Sequence, residues 1–278
     1  KAGNCSCLEN NPLNEIVIEA FSQRVELRVG LLDLERSAGR VELRAFGRGD
    51  LKDKYLYPND FKVEPRTEMM SWKILGEKAV HTISSWDFKT REEFAWACWR
   101  VMASFDVAIA HYGFFADFPW LKELFWDEFN LPPLPKLREI DTKSMAKGHP
   151  FKNLDELAKR TGHIGKTDKY RIENMDRALA GDLKLRREMQ SYCEGDVFAL
   201  EHVFNYLRRR SNMVFNFNPI KSKFMEVCDK CDSADLTEVG YGYKGKQLHR
   251  EYSCNECQAQ HMSSKALPIT RGSSLLRV

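Results

Sequence analysis

The run VGLLDLE at 29–35 sets Asp33 and Glu35 two positions apart inside a hydrophobic segment. Val25, Leu27, Val29 and Leu31 alternate with other residues, and Leu31 to Leu34 is nearly continuously apolar. That pattern is a strand becoming buried on both faces. Side chains two apart on a strand point the same way, so Asp33 and Glu35 share a face. A carboxylate in such surroundings is costly to bury unless it is paired, hydrogen-bonded or bound to a metal. Taken alone, the pair also fits a strand end reaching water, since Arg36 follows.

Two further acids stand in similar places. Asp117 comes soon after the compact apolar run Val107 to Ala110, immediately before Phe118 and Pro119. There it suits a helix N-cap, with proline in the first turn, and also a ligand beyond a strand end, where open α/β sheets collect their ligands. Asp196 lies on a long helix predicted from Leu183 to Arg210. On it Met189, Cys193, Val197, Leu200, Phe204 and Leu207 form one apolar stripe at helical spacing. Tyr192 and Asp196, four apart, fall within or beside that stripe and are presented together. An aspartate facing the core needs a hydrogen-bond partner or a metal. Asp141, before Thr142, reads as mainly structural.

Strands come first, then helix and strand alternate, then helices follow, which predicts an α/β domain with a mixed sheet. Val41, Leu43 and Ala45 read as the hairpin partner of the first strand. Met69 to Leu75 and Ala79 to Ser84 form a second hairpin about Gly76 and Glu77. A helix is expected over Thr90 to Ser104, a short strand over Leu137 to Asp141, and a helix from the capping-box residues Asn153 to Glu156 up to Gly162. The boundaries expected are an N-terminal extension at 1–24, the α/β domain at 25–211, a linker at 212–223 containing Pro219, a small unit at 224–264 and a mobile tail at 265–278.

Eight cysteines include the pairs Cys228/Cys231 and Cys254/Cys257, two C-x-x-C units enclosing 22 residues. That spacing in a non-secreted-looking chain is the pattern of a zinc site rather than of disulfides. Four thiolates around one structural Zn²⁺ would stabilise a unit too small for its own core. Leu236 to Tyr243 and Gln247 to Tyr252 read as two strands of a zinc ribbon joined at Lys244, Gly245 and Lys246. Asp232 and Gln258 stand where such knuckles usually carry glycine. The hairpin bears Tyr241, Tyr243, Lys244, Lys246, His249, Arg250 and Tyr252, a mixture able to stack on bases and meet phosphates, or equally an ordinary ribbon surface.

The net charge of +3 is too small to identify a partner. Its distribution is more informative: between Lys143 and Arg171 there are eight basic residues against three acids. Such a stretch, with Lys143, Lys147 and Lys152 at its start, could neutralise phosphates, or be a solvated helical face. No segment approaches the unbroken apolar length, about 18 residues, of a membrane span, and no secretory signal pattern is visible.

Together VGLLDLE (29–35), AHYGFFADFPWL (110–121), LREIDTKSMAK (137–147), LDELAKRTG (154–162) and YCEGDV (192–197) resemble the DEDD 3′-5′ exonucleases of the RNase H-like superfamily. More narrowly, they are similar to phage and bacterial exonucleases related to the proofreading domain of family B DNA polymerases. The resemblance covers about Val25 to Arg210. Tyr192 precedes Asp196 by four, and Ser191 stands five before it, which matches the tyrosine subclass, DEDDy.

The resemblance implies an RNase H-like mixed sheet flanked by helices and hydrolysis of phosphodiesters at single-stranded 3′ ends, with DNA ahead of RNA. It implies two Mg²⁺ or Mn²⁺ ions, with Asp33 bridging both, Glu35 and Asp196 on the nucleophile's metal, Asp117 on the other, and Tyr192 orienting water. A cytoplasmic site of action in a bacterial or phage-infected cell goes with it. Two positions depart from the family pattern: Tyr112 stands for the usual Asn and Ala116 for the usual Phe, and Tyr112 is expected to meet the substrate. The alternatives are a non-catalytic nucleic-acid-binding or interaction protein on the same fold, and a structure-specific endonuclease.

Overall fold

The computed structural model describes residues 27–41, 61–163, 172–210 and 226–268. Within them the chain forms two compact units, one spanning Arg28–Leu207 and another containing residues 226–268. The N-terminal extension, residues 42–60, the basic residues Lys166, Lys169 and Arg171, the linker and the end of the tail lie outside the described residues.

The larger unit is built on β1 (Val29–Arg36). A short β2 (Arg40–Val41) and β3 (Phe61–Val63) pair with each other. β4 (Thr67–Ile74) and β5 (His81–Ser84) follow, then β6 (Val107–Ala110) and β7 (Arg138–Asp141). The five-stranded sheet has the order β5-β4-β1-β6-β7. β1 is antiparallel to β4 and parallel to β6, so the sheet is mixed and β1 is central. β1 pairs antiparallel with Thr67–Ile74; of the hairpin partner expected at Val41 to Ala45, Val41 pairs with Phe61 and residues 42–45 lie outside the described residues. A strand buried on both faces needs a buried partner, and β4 supplies Met69 and Met70, both fully inaccessible.

Strand alternation divides the core into two layers. Leu32, Leu34 and Met70 pack with Phe94, Cys98 and Met102 of α1 (Arg91–Ala103) and with Phe118 and Leu121 of α2 (Asp117–Lys122). Thr90 caps α1 by accepting the Glu93 amide, which fixes where that helix starts. α2 runs on into one π-helical stretch, Glu123–Glu128. On the opposite face Met69 meets Met175 and Ala178 of α5 (Ile172–Leu179) and Leu185, Met189 and Cys193 of α6 (Leu183–Arg208). Between these lie two short helices, α3 (Thr142–Met145) and α4 (Leu154–Arg160). Asn153 caps α4 by accepting the Asp155 amide.

The smaller unit is a three-stranded antiparallel sheet, β8 (Leu236–Lys244), β9 (Gln247–Cys254) and β10 (Gln260–Ala266), in the order β10-β9-β8. β10 has no counterpart in the two-strand reading and extends past the expected end of the unit at 264. Among the described residues no helix is long and apolar enough to cross a membrane.

Candidate metal and nucleic-acid site

The larger unit gathers its acids at the end of β1. Asp33 and Glu35 are half-buried on the face toward α6, where Cys193 sits. One oxygen of each and the Cys193 sulfur lie within 4.8 Å of one another. The Cys193 thiol donates to the Asp33 carbonyl at 3.5 Å and to Asp33 Oδ2 at 3.4 Å. Burial and the two carboxylates beside it push that thiol well above its ordinary range.

Asp117 enters from the other side of β1. Parallel pairing with β6 stops at Leu31 and Ile109, three residues before Leu34. The Leu34 amide therefore donates to Asp117 Oδ1 instead, at 3.1 Å. The turn that delivers Asp117 is tight: a Cβ on Gly113 would sit 2.7 Å from Ala110 Cβ and 2.8 Å from the Phe118 ring. Asp117 is only 4% exposed. Burial, and to a smaller extent Asp141 and Asp196, push its carboxyl up to about 7. Sequence reasoning offered Asp117 as an N-cap, but α2 begins at Asp117 itself and the preceding Ala116 occupies the cap position with no side-chain bond.

Asp196, 3% exposed on α6, faces the same region. It lines, with Asp33, a cleft of about 360 Å³ whose other walls include His111, Tyr112, Lys143 and Lys152. Tyr192, one turn earlier on α6, is half-buried. The sequence-predicted acids are thus brought together through three links: Asp33 with Glu35, Asp33 with Asp196, and Asp117 with Asp196.

Asp141 is the buried organiser beside them. It caps α3: its Oδ1 accepts the Lys143 amide at 2.8 Å and the Ser144 amide at 3.4 Å. The same oxygen accepts the Tyr112 amide at 2.9 Å. Tyr112 needs that support, because its φ of 65° lies in the left-handed region that a bulky residue rarely adopts. The Asn usual in the resembling family tolerates that conformation far better. Lys143 Nζ stands 3.6 Å from the centre of the Tyr112 ring, and Phe115 stacks on the ring at 5.3 Å. Tyr112, Phe115, Lys143 and Lys147 line a second cavity of about 260 Å³, which also includes Lys152.

Two participants escaped the sequence reading. Phe115, 69% exposed, looks like one more aromatic of the run Tyr112-Gly113-Phe114-Phe115 until the turn is seen to throw it outward. His111 Nδ1 lies 2.9 Å from Thr142 Oγ1 and its Nε2 2.9 Å from the Lys152 carbonyl. A carbonyl only accepts, so Nε2 carries a proton and tethers the segment bearing Lys152. A histidine directly after a buried strand was the available signal.

In the smaller unit the four thiols converge. Cys228 and Cys257 are 3.6 Å apart, as are Cys231 and Cys254. Tetrahedral thiolates with Zn–S near 2.3 Å stand about 3.8 Å apart, whereas a disulfide closes to about 2.05 Å. The donor set fits zinc. Each knuckle has the same wiring: Asp232 N to Cys228 O and Gln258 N to Cys254 O, both at 2.9 Å. Asp232 and Gln258 take φ of 61° and 60°, so the left-handed turn is kept without glycine. Tyr243 is exposed, Lys244 and Lys246 flank the Gly245 turn, and Arg250 pairs with Glu238 at 3.1 Å.

A scan against protein families finds no match, nor does a sequence search of curated proteins. Among solved structures the chain is similar to the family B DNA polymerase of the hyperthermophilic archaeon Pyrobaculum calidifontis, at 14% identity and a TM-score of 0.43. The match covers 66% of this chain and 25% of that one, so the chain spans about a quarter of the polymerase's length. At that level of likeness, function has to come from the site residues themselves.

Proposed function

We propose that this chain is a metal-dependent 3′-5′ exonuclease acting on single-stranded ends of nucleic acid, DNA ahead of RNA. The observation that carries the proposal is the convergence of Asp33, Glu35, Asp117 and Asp196 from three separate elements, with Lys143 and Lys152 across the cleft. Burying acids side by side is costly: burial above all, and then Asp141 and Asp196, raise the Asp117 carboxyl, and divalent cations would relieve that cost.

Asp33 and Glu35, with Asp117 and Asp196, would hold two Mg²⁺ or Mn²⁺ ions. Hard oxygen donors suit those cations. Bound there, the ions lower the pKa of an attacking water and offset charge on the leaving oxygen. The chain's own contributions are distinct. Lys143 and Lys152 neutralise the substrate phosphate, Tyr192 orients the water, and Tyr112 borders the nucleotide. The 3′-5′ direction is taken from the motif resemblance. Cys228, Cys231, Cys254 and Cys257 would hold one structural Zn²⁺, and the ribbon, through Tyr243, Lys244, Lys246 and Arg250, would help hold the strand.

Digestion of end-labelled single-stranded DNA and RNA tests this. Shortening from the 3′ end that needs Mg²⁺ and disappears in Asp33→Asn supports it. Full activity of Asp33→Asn, or no shortening at all, sinks it. A second reading, binding without cleavage, draws on the strained Tyr112 ring standing in the cleft with Lys143 over it. Retention of single strands with no metal-dependent product selects that reading. Cutting of circular strands would instead select an endonuclease.

A further inference from the structure

We infer that one face of the three-stranded ribbon sheet is a stacking platform for a single-stranded polynucleotide, running across all three strands and built without any residue of the carboxylate cleft. Partners directly opposite in an antiparallel pair share a face. Tyr241 lies opposite Arg250, Tyr243 opposite Leu248, and Glu238 opposite Tyr252, which in turn lies opposite His261 on β10. Glu238 and Tyr241 are three apart, and simple alternation would send them to opposite faces. The register shift between Glu238 and Gly240 absorbs Val239 and restores them to one side.

The result is a set of rings that share one face. Tyr241 is 60% and Tyr243 52% exposed. His261 stacks on Tyr252 with centroids 5.7 Å apart and planes within 29°. Arg250 is exposed between the tyrosines, and Lys244 and Lys246 close the hairpin end. The opposite side of β8 presents Gly240 and Gly242, and at Gly242 a Cβ would run into Glu251 and Met262. The aromatic side chains thus share one surface, on which Tyr241 and Tyr243 stand out into water while Tyr252 and His261 are half-buried. Tyrosines with half or more of their surface in water contribute little to a core. They offer flat faces to unpaired bases, and the adjacent cations offer charge to the connecting phosphates. A duplex hides its base faces, so rings in this arrangement select single strands. Glu238 is the one acid of the set. It pairs with Arg250 and opposes the polyanion.

The test is fluorescence anisotropy of the full chain carrying Asp33→Asn to prevent cleavage, with zinc retained, against labelled oligothymidylate, oligouridylate and a duplex. Each base–ring stack contributes about 1–3 kcal/mol, so Tyr241→Ala with Tyr243→Ala is expected to weaken single-strand binding about tenfold or more and leave duplex binding unchanged. The matching double Tyr→Phe variant keeps the rings and the affinity, and Glu238→Gln tightens binding several-fold. Zinc content equal to wild type shows the variants are folded. Unchanged single-strand binding in the alanine variant, or an equal loss on duplex, overturns the platform. A change in self-association without a change in binding overturns it too, in favour of a protein-docking face. Only the platform's part in substrate capture rests on the proposed exonuclease activity. If the wild-type chain cleaves nothing while binding behaves as stated, the exonuclease reading fails and the platform stands.

Discussion

The two units use clustered ligands for opposite purposes. In the Arg28–Leu207 unit a two-sided hydrophobic core around β1 carries the acids, and it does so against their mutual repulsion. In the ribbon the buried core is little more than Cys228, Cys254 and Ala259, with the remaining cysteines and Leu236 packed around them. The first unit is a fold that presents the proposed cation site, whereas the second is a thiol cluster whose proposed zinc would permit its fold. Acids placed by packing strain the structure that holds them, and thiols gathered around the proposed zinc would complete theirs.

The sharpest way to break that contrast is to remove the proposed zinc. Closing a four-thiolate site contributes roughly 10–16 kcal/mol in small zinc modules. Cys228→Ser is therefore expected to open residues 226–268 to proteolysis while the larger unit keeps its own thermal transition. Equal protection of the ribbon without metal would refute the distinction. In the other unit the outcome reverses: Asp33→Asn should lower the initial rate of 3′-label release by more than the ~10–100-fold typical of outer-shell metal partners. Its thermal midpoint should stay the same or rise.

Asp117 sharpens the comparison further. An unfolded aspartate titrates near 3.9, and burial lifts the folded group to about 7. Between those values the folded chain holds the extra proton, so the stability of metal-free protein should fall as pH rises from about 4 to about 7 and level off above. Denaturant titrations across that range should show a slope worth a few kcal/mol in total, and Asp117→Asn should remove most of it. A flat profile in the native chain would mean that burial does not raise the Asp117 carboxyl. The smallest effect belongs to the ribbon. Gln258→Gly relieves a left-handed residue and should stabilise the unit by about 1 kcal/mol, read as slower loss of zinc to a competing chelator.

Local pattern carried much of this in advance. Alternation made Asp33 and Glu35 share a face, and helical phase turned Cys193 and Asp196 inward, because both periods are properties of the backbone. Asp141 was readable as structural from its place before a helix, although its bond to the Tyr112 amide was not. What stayed hidden depended on distant chain. β1 pairs with β4, a segment well separated from it in sequence, which brings Met69 and Met70 into the core. β10 lacked a clean alternation, and α5, amphipathic but only eight residues long, had not been expected. The left-handed Tyr112, Asp232 and Gln258 are held by hydrogen bonds that local propensity does not register.

The amide of Leu34, handed to Asp117 where β6 no longer reaches, has a consequence for assembly. A slip of β1 by one residue would turn Asp33 and Glu35 to the opposite side of the sheet. It would also offer Asp117 an amide pointing the wrong way. The same carboxylate proposed to share a cation thus proofreads the alignment of the strand that supplies the others, and a misregistered chain is penalised before any substrate arrives.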